Sequence, residues 1–159
     1  MRMRLPAALA AATAIALLGT GPAAARPLAP AYHGREVFTF VISSPSQLHA
    51  RVTASGAFRA TGHYVRRTAT IVFPSGRIRI RRVPRGETIT GPDPSTCRFT
   101  IRQVGDFRVV RATGRYRGLR EAGTYRTMIR GRLRKTGPVR CSARLAAFHE
   151  LSYLVGVVR

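Results

Sequence analysis

Residues 76–86 read GRIRIRRVPRG, and their alternation decides the fold class. Successive side chains of a β-strand point to opposite faces, so Ile78 and Ile80 share one face while Arg77, Arg79 and Arg81 share the other. One apolar face backed by one charged face is the pattern of a half-buried antiparallel sheet. The same division recurs downstream. Phe99 and Ile101 alternate with Arg98 and Arg102, and Tyr125, Thr127 and Ile129 with Arg126 and Arg130. Cys141, Ala143 and Leu145 alternate with Arg140 and Arg144.

Strand signals follow one another on both sides of this stretch, with turn residues between them. EVFTFVIS (36–43), LHARVTA (48–54), AFRATGHYV (57–65) and TATIVF (68–73) precede it. PRGETITGPDPST (84–96) reads as a long connection, and VGD (104–106) as a turn between CRFTIRQ (97–103) and FRVVRAT (107–113). TYRTMIRGRL (124–133), VRCSARLAAF (139–148) and LSYLVGVV (151–158) close the chain. Eight to ten short strands with turns about every ten residues predict an all-β sandwich or closed antiparallel barrel.

The first residues read differently. MRMR is basic, residues 5–19 are apolar, and Ala23 and Ala25 frame a small-residue cleavage site. That is the three-part layout of a signal peptide, with cleavage expected between Ala25 and Arg26. The apolar run is shorter than the ~20 residues of a membrane-spanning helix, and no second run of that kind follows. We therefore expect a secreted, extracellular product without a transmembrane segment: a flexible arm over 26–34, then one β-domain over 35–159.

The chain carries 28 Lys and Arg against 6 Asp and Glu, for a net charge of +22. All but Lys135 of the basic residues are arginine, and asparagine is absent. Arginine and alanine have GC-rich codons, so a GC-rich genome accounts for part of this excess. The field is real whatever its origin, and it draws anionic polymers or an acidic membrane surface. Arg77, Arg79, Arg81, Arg98, Arg102, Arg126 and Arg130 are the candidate anion contacts. No nucleic-acid-binding motif accompanies them, so specific nucleic-acid recognition is not expected.

Cys97 and Cys141 are the only cysteines, and an exported chain with two is expected to pair them. Closing so long a loop stabilises by about 4 kcal/mol on the chain-entropy model. The acids beyond the leader, Glu36, Glu87, Asp93, Asp106, Glu121 and Glu150, are scattered, and Asp93 and Asp106 read as turn formers. His33, His49, His63 and His149 lack metal-ligand spacing, and no G-x-S-x-G, phosphate-loop or Cys–His signature occurs. We assign no catalytic residue and expect no metal or cofactor. His63 and Tyr64, near a barrel mouth, are the best placed of a poor set.

The segment ATGRYRGLREAGTY (112–125) resembles the glycine-rich segment of allene oxide cyclase and dirigent barrels. It looks more like the small secreted bacterial barrel proteins grouped with them, through Thr113, Gly114, Tyr116, Gly118, Gly123 and Tyr125. GAFRATG (56–62) and TIVFPSGRIRI (70–80) carry the same likeness, and Cys97 stands where such chains often have a cysteine. The resemblance implies an eight-stranded antiparallel barrel over roughly 35–159. It also implies a small apolar ligand inside, and a cyclase-like isomerase activity if the chain is an enzyme. None of the family's active-site acids maps onto a residue here. The leading expectation is a non-enzymatic binding or envelope-associated module. The alternatives are a cyclase- or dirigent-like protein and a cationic binder of wall polymers or nucleic acid. Gly114 and Gly118 are expected to shape a tight connection, with Tyr116 lying over it and its hydroxyl in water.

Overall fold

The computed structural model describes residues 32–44 and 49–159, and the leader expected over 1–25 lies outside them. The fold is all-β. Its strands are β1 (Gly34–Ile42), β2 (His49–Gly56), β3 (Ala60–Val65), β4 (Thr70–Phe73), β5 (Gly76–Thr90), β6 (Arg98–Ala112), β7 (Glu121–Gly137) and β8 (Arg140–Val158). Each is antiparallel to the next, and β8 returns to β1 to close the barrel. Single 3-10 turns at Arg66–Thr68 and Gly114–Tyr116 join β3 to β4 and β6 to β7.

The alternation of residues 76–81 is obeyed: Ile78 and Ile80 are buried while Arg77, Arg79 and Arg81 are exposed. Phe38, Phe40, Ile42, Val52, Ile71, Phe107 and Leu154 fill the interior from the other strands. Each fully buried side chain of this size contributes roughly 1.5–3 kcal/mol. Outward positions of β5, β6 and β7 carry arginine, and β3 and β4 have only six and four residues. A lipid-facing barrel excludes such charges from its outer band and needs strands of ~9–11 residues, so the β5–β7 wall faces water. Among the described residues no helix is long and apolar enough to cross a membrane.

The two halves of the barrel differ in length. β1–β4 span four to nine residues, β5–β8 fifteen to nineteen. β4 pairs with β5 as far as Thr70–Arg79, and β1 with β8 as far as Ile42–Glu150. Past these points β5, β6, β7 and β8 run on as a four-stranded sheet projecting from one end. Three sequence expectations are corrected here. Residues 84–90 belong to β5, VGD lies within β6, and residues 140–158 form one strand. Antiparallel pairing holds these residues extended and overrides their turn propensity: residues 84–90 lie against β6, VGD between β5 and β7, and residues 140–149 against β7. The expected inward face of Ala143 and Leu145 has no core beneath it: both are exposed, in the projecting part of β8. Asp106 likewise sits within a strand, not a turn.

Cys97 and Cys141 form the expected disulfide, with Cα atoms 5.5 Å apart. It ties the start of β6 to the start of β8 at the tip of the projection. Asp93 is a turn former in the adjoining loop. Its Oδ1 accepts hydrogen bonds from Ser95 Oγ and from the backbone N–H of Thr96, both at 2.7 Å. These bonds hold its carboxyl down at about 2.

The opposite end is closed by an aromatic plug. Phe58 packs 5.0 Å from Tyr116 and 6.1 Å from Phe73, and Tyr32 packs 5.2 Å from Phe58. The arm expected over 26–34 therefore loses Gly34 to β1, and its Tyr32 is part of the plug. Gly114 and Gly118 adopt φ of 64° and 85° in the tight connection predicted for them. Tyr116 lies over this connection and is only 4% exposed, with its ring folded inward against Phe58 and Phe73.

Candidate functional site

Continuing the alternation of Ile78 and Ile80 by one step turns Arg82 into the barrel, just below the projecting sheet. Its guanidinium lies 4.9 Å from the ring centroid of Phe40, 5.3 Å from Tyr125 and 5.5 Å from Tyr64. Such cation–π contacts are each worth about 0.5–2 kcal/mol. Arg82 Nε is buried without a hydrogen-bond partner. Burial lowers the guanidinium pKa, and Tyr64, Glu150 and Tyr125 counter that. Arginine remains charged at neutral pH in any case. The side chain as a whole is part-buried.

The carboxylates near it are already engaged. Glu150, 6% exposed, accepts from Arg66 Nη2 at 3.2 Å and from Ser152 Oγ at 3.3 Å. Ser152 in turn shares a 2.8 Å hydrogen bond with Thr127. Tyr125 donates its hydroxyl to Gln103 Oε1 at 3.3 Å, and Gln103 Nε2 donates to Glu87 Oε2 at 3.1 Å. The Tyr125 ring reaches across β6 because Gly105 has no side chain: a Cβ there would stand 2.5 Å from Tyr125 Cε1. The ion pairs among the described residues are Arg66–Glu150 and Arg85–Asp106, so no carboxylate neutralises Arg82 directly.

Above this polar layer the inner face of the projection is apolar. Ile89, Ile101 and Ile129 stand in one cross-strand row that ends at Glu150. Phe99, Gly131 and Phe148 form the next, with the Phe99 ring lying over Gly131. Ile89 is 61% exposed and the others are part-buried, so the trough is open.

Of the pair picked from sequence, only Tyr64 reaches this mouth. His63 points outward against His49, with ring centroids 5.3 Å apart. Arg82 was missed, although the parity of residues 78–82 already put it on the inner face.

The seven candidate arginines fall into two groups on the outer wall. Arg77, Arg79 and Arg81 are joined by Arg108 and Arg111 from β6; Arg98, Arg102, Arg126 and Arg130 are joined by Arg132 from β7. The Arg85–Asp106 pair lies between the groups. Arg79 stands directly opposite Arg111, Arg81 opposite Arg108, and Arg98 opposite Arg132. Like charges in such positions repel. The strands β1–β4 contribute only Arg35 and Arg51.

At the closed end Glu36 and Glu121 come together across Gly156. Glu36 is paired in register with Gly156, and a Cβ on Gly156 would stand 2.5 Å from Glu121 Oε1. Glu36 Oε2 accepts from the backbone N–H of Phe58 at 3.0 Å, but its Oε1 and both Glu121 oxygens have no partner. Burial first, and then the Glu36 charge, push the Glu121 carboxyl up to about 8; burial also raises Glu36. No signal in the sequence pairs these acids. Among the described residues no cluster of three or more His, Cys, Asp or Glu could hold a metal.

No family model matches this chain, and neither a curated protein nor a solved structure does.

Proposed function

We propose that this chain is an exported, non-enzymatic binding module whose mouth takes a small amphiphilic anion. The anionic head meets Arg82, and the apolar body lies along Ile89, Ile101 and Ile129. One observation carries this: a guanidinium held inside a barrel by three aromatic rings, with no carboxylate in direct ion-pair contact with it. A bound anion supplies the missing partner through charge-assisted hydrogen bonds. The packed interior below, with Phe38, Phe40 and Phe107, favours a ligand seated at the mouth over one swallowed whole. The expected leader and the disulfide support export. The prior engagement of Glu87 and Glu150 favours binding over acid–base catalysis of the cyclase or dirigent kind.

Calorimetry on residues 26–159 with dodecanoate and dodecanol tests it. Dodecanoate is expected to bind at least about tenfold more tightly, a difference of ~1.4 kcal/mol, and Arg82→Met should abolish that preference. The same variant should remain folded, because the apolar methionine chain fills the same space among the Phe40, Tyr64 and Tyr125 rings. Equal affinity for the acid and the alcohol, or a preference that survives Arg82→Met, refutes the proposal.

A further inference from the structure

The outer wall carries a second feature that the mouth does not use. Over β3–β6 lies an open groove of about 830 Å³, lined by Arg77, Arg79 and Arg111 with Thr68, Thr70 and Thr113. Arg79 and Arg111 face each other across the strand pair, where Cβ atoms stand ~4.5–5.5 Å apart. None of the groove's lining residues is acidic. Thr113 Oγ1 accepts from the backbone N–H of Arg77 at 3.2 Å, which leaves its own O–H to donate outward. The Thr70 hydroxyl is spent on the Thr68 carbonyl at 3.0 Å, so the charge is concentrated, opposed to itself and edged by the Thr113 hydroxyl. That is a surface short of an anion with several acceptor oxygens.

We propose that this groove binds a linear polyol-phosphate chain of the cell envelope, with successive phosphates on successive outward arginines. Arg77 and Arg79 are separated by six backbone bonds, about 6.8 Å along an antiparallel strand. The phosphorus atoms of a 1,3-linked glycerol-phosphate chain are also separated by six bonds, P–O–C–C–C–O–P. Arg81 opposite Arg108 prolongs the same line beyond the groove. The guanidinium fork meets two phosphate oxygens at once, which a point-like ammonium cannot do. A nucleic-acid backbone has the same six-bond spacing, but single-stranded binding of that kind rests on aromatic platforms for its bases. The groove is lined by no Phe, Tyr or Trp; its one ring is that of His63. A polymer with phosphates and no bases is the occupant this wall fits.

The test uses residues 26–159 and fluorescein-labelled poly(glycerol phosphate) of about twenty repeats, followed by anisotropy from about 50 to 300 mM salt. Oligothymidylate and polyglutamate of equal charge are the competitors. Arg77→Gln/Arg79→Gln/Arg111→Gln is compared with Arg98→Gln/Arg102→Gln/Arg130→Gln, which removes the same charge from the other group. The groove variant is expected to bind at least about 30-fold more weakly at low salt, with a log–log salt slope shallower by about 2. The control variant should lose less than about fivefold. Arg82→Met should leave polymer binding intact, which separates this site from the mouth. Equal losses in the two triple variants would assign the effect to net charge. Oligothymidylate competing as well as the polymer would assign it to nucleic acid. Either result overturns the proposal. The substituted arginines are exposed and mutually repelling, so circular dichroism should report an unchanged fold.

Discussion

Replacing Glu121 by glutamine isolates the electrostatics of the closed end. Glu121 is 4% exposed, its two oxygens have no hydrogen-bond partner, and Glu36 adds a second negative charge nearby. Its carboxyl titrates at about 8 in the folded chain against an ordinary value of 4.5. A raised acid pKa means that the folded state holds the proton more tightly than the unfolded one. The associated stability is complete below about 4.5, falls as pH rises, and is gone above about 8. At about 1.4 kcal/mol for each pH unit, that interval amounts to ~5 kcal/mol. This is a ceiling, since water penetration and rearrangement of neighbours soften burial penalties. Glu36, also raised, acts in the same direction. Urea unfolding followed by circular dichroism at pH 4.5, 6, 7, 8 and 9 reads the effect directly. Wild type and Glu121→Gln should differ little at pH 4.5. The variant should gain steadily and lead by several kcal/mol, at most about five, at pH 8 and above. A difference that does not change with pH, or a wild type more stable than the variant at pH 9, refutes the reasoning.

Two further outcomes test the architecture. Removing the disulfide by Cys97→Ala/Cys141→Ala should lower stability by up to about 4 kcal/mol, with the loss of hydrogen-exchange protection concentrated in residues 84–103 and 131–147 at the projecting end. Protection lost first from β1–β4 would contradict that location. Gly105→Ala should cost about 1–3 kcal/mol, because the new methyl group meets the backbone carbonyl of Val83 on β5 and then the Tyr125 ring. It should also weaken dodecanoate binding by displacing a wall of the Arg82 box, whereas Gly86→Ala, where an added Cβ meets its nearest neighbour at 3.6 Å, should do neither.

Alternation is a property of neighbouring residues, and so it was legible without coordinates. The inward set Ile78, Ile80 and the outward set Arg77, Arg79, Arg81 follow from the geometry of an extended backbone, as does Arg82 when the count is carried one residue further. The disulfide was legible from cysteine number. Strand lengths were not. Gly105 looks like a turn residue in isolation, yet it is where a ring from β7 crosses β6, and Gly131 serves Phe99 in the same way. A glycine kept for a distant ring and a glycine kept for a turn are the same letter.

What the chain determined by itself is therefore the two-faced strand, the cationic exterior and the pairing of its cysteines, because each depends on local spacing or on a simple count. Ring closure and register decided the rest. They set Arg82 among Phe40, Tyr64 and Tyr125, and Arg79 against Arg111. They also brought Glu36 to Glu121 across Gly156. Those meetings join residues remote in sequence, and only the pairing of whole strands, with the stagger it imposes, determines which side chains share a space.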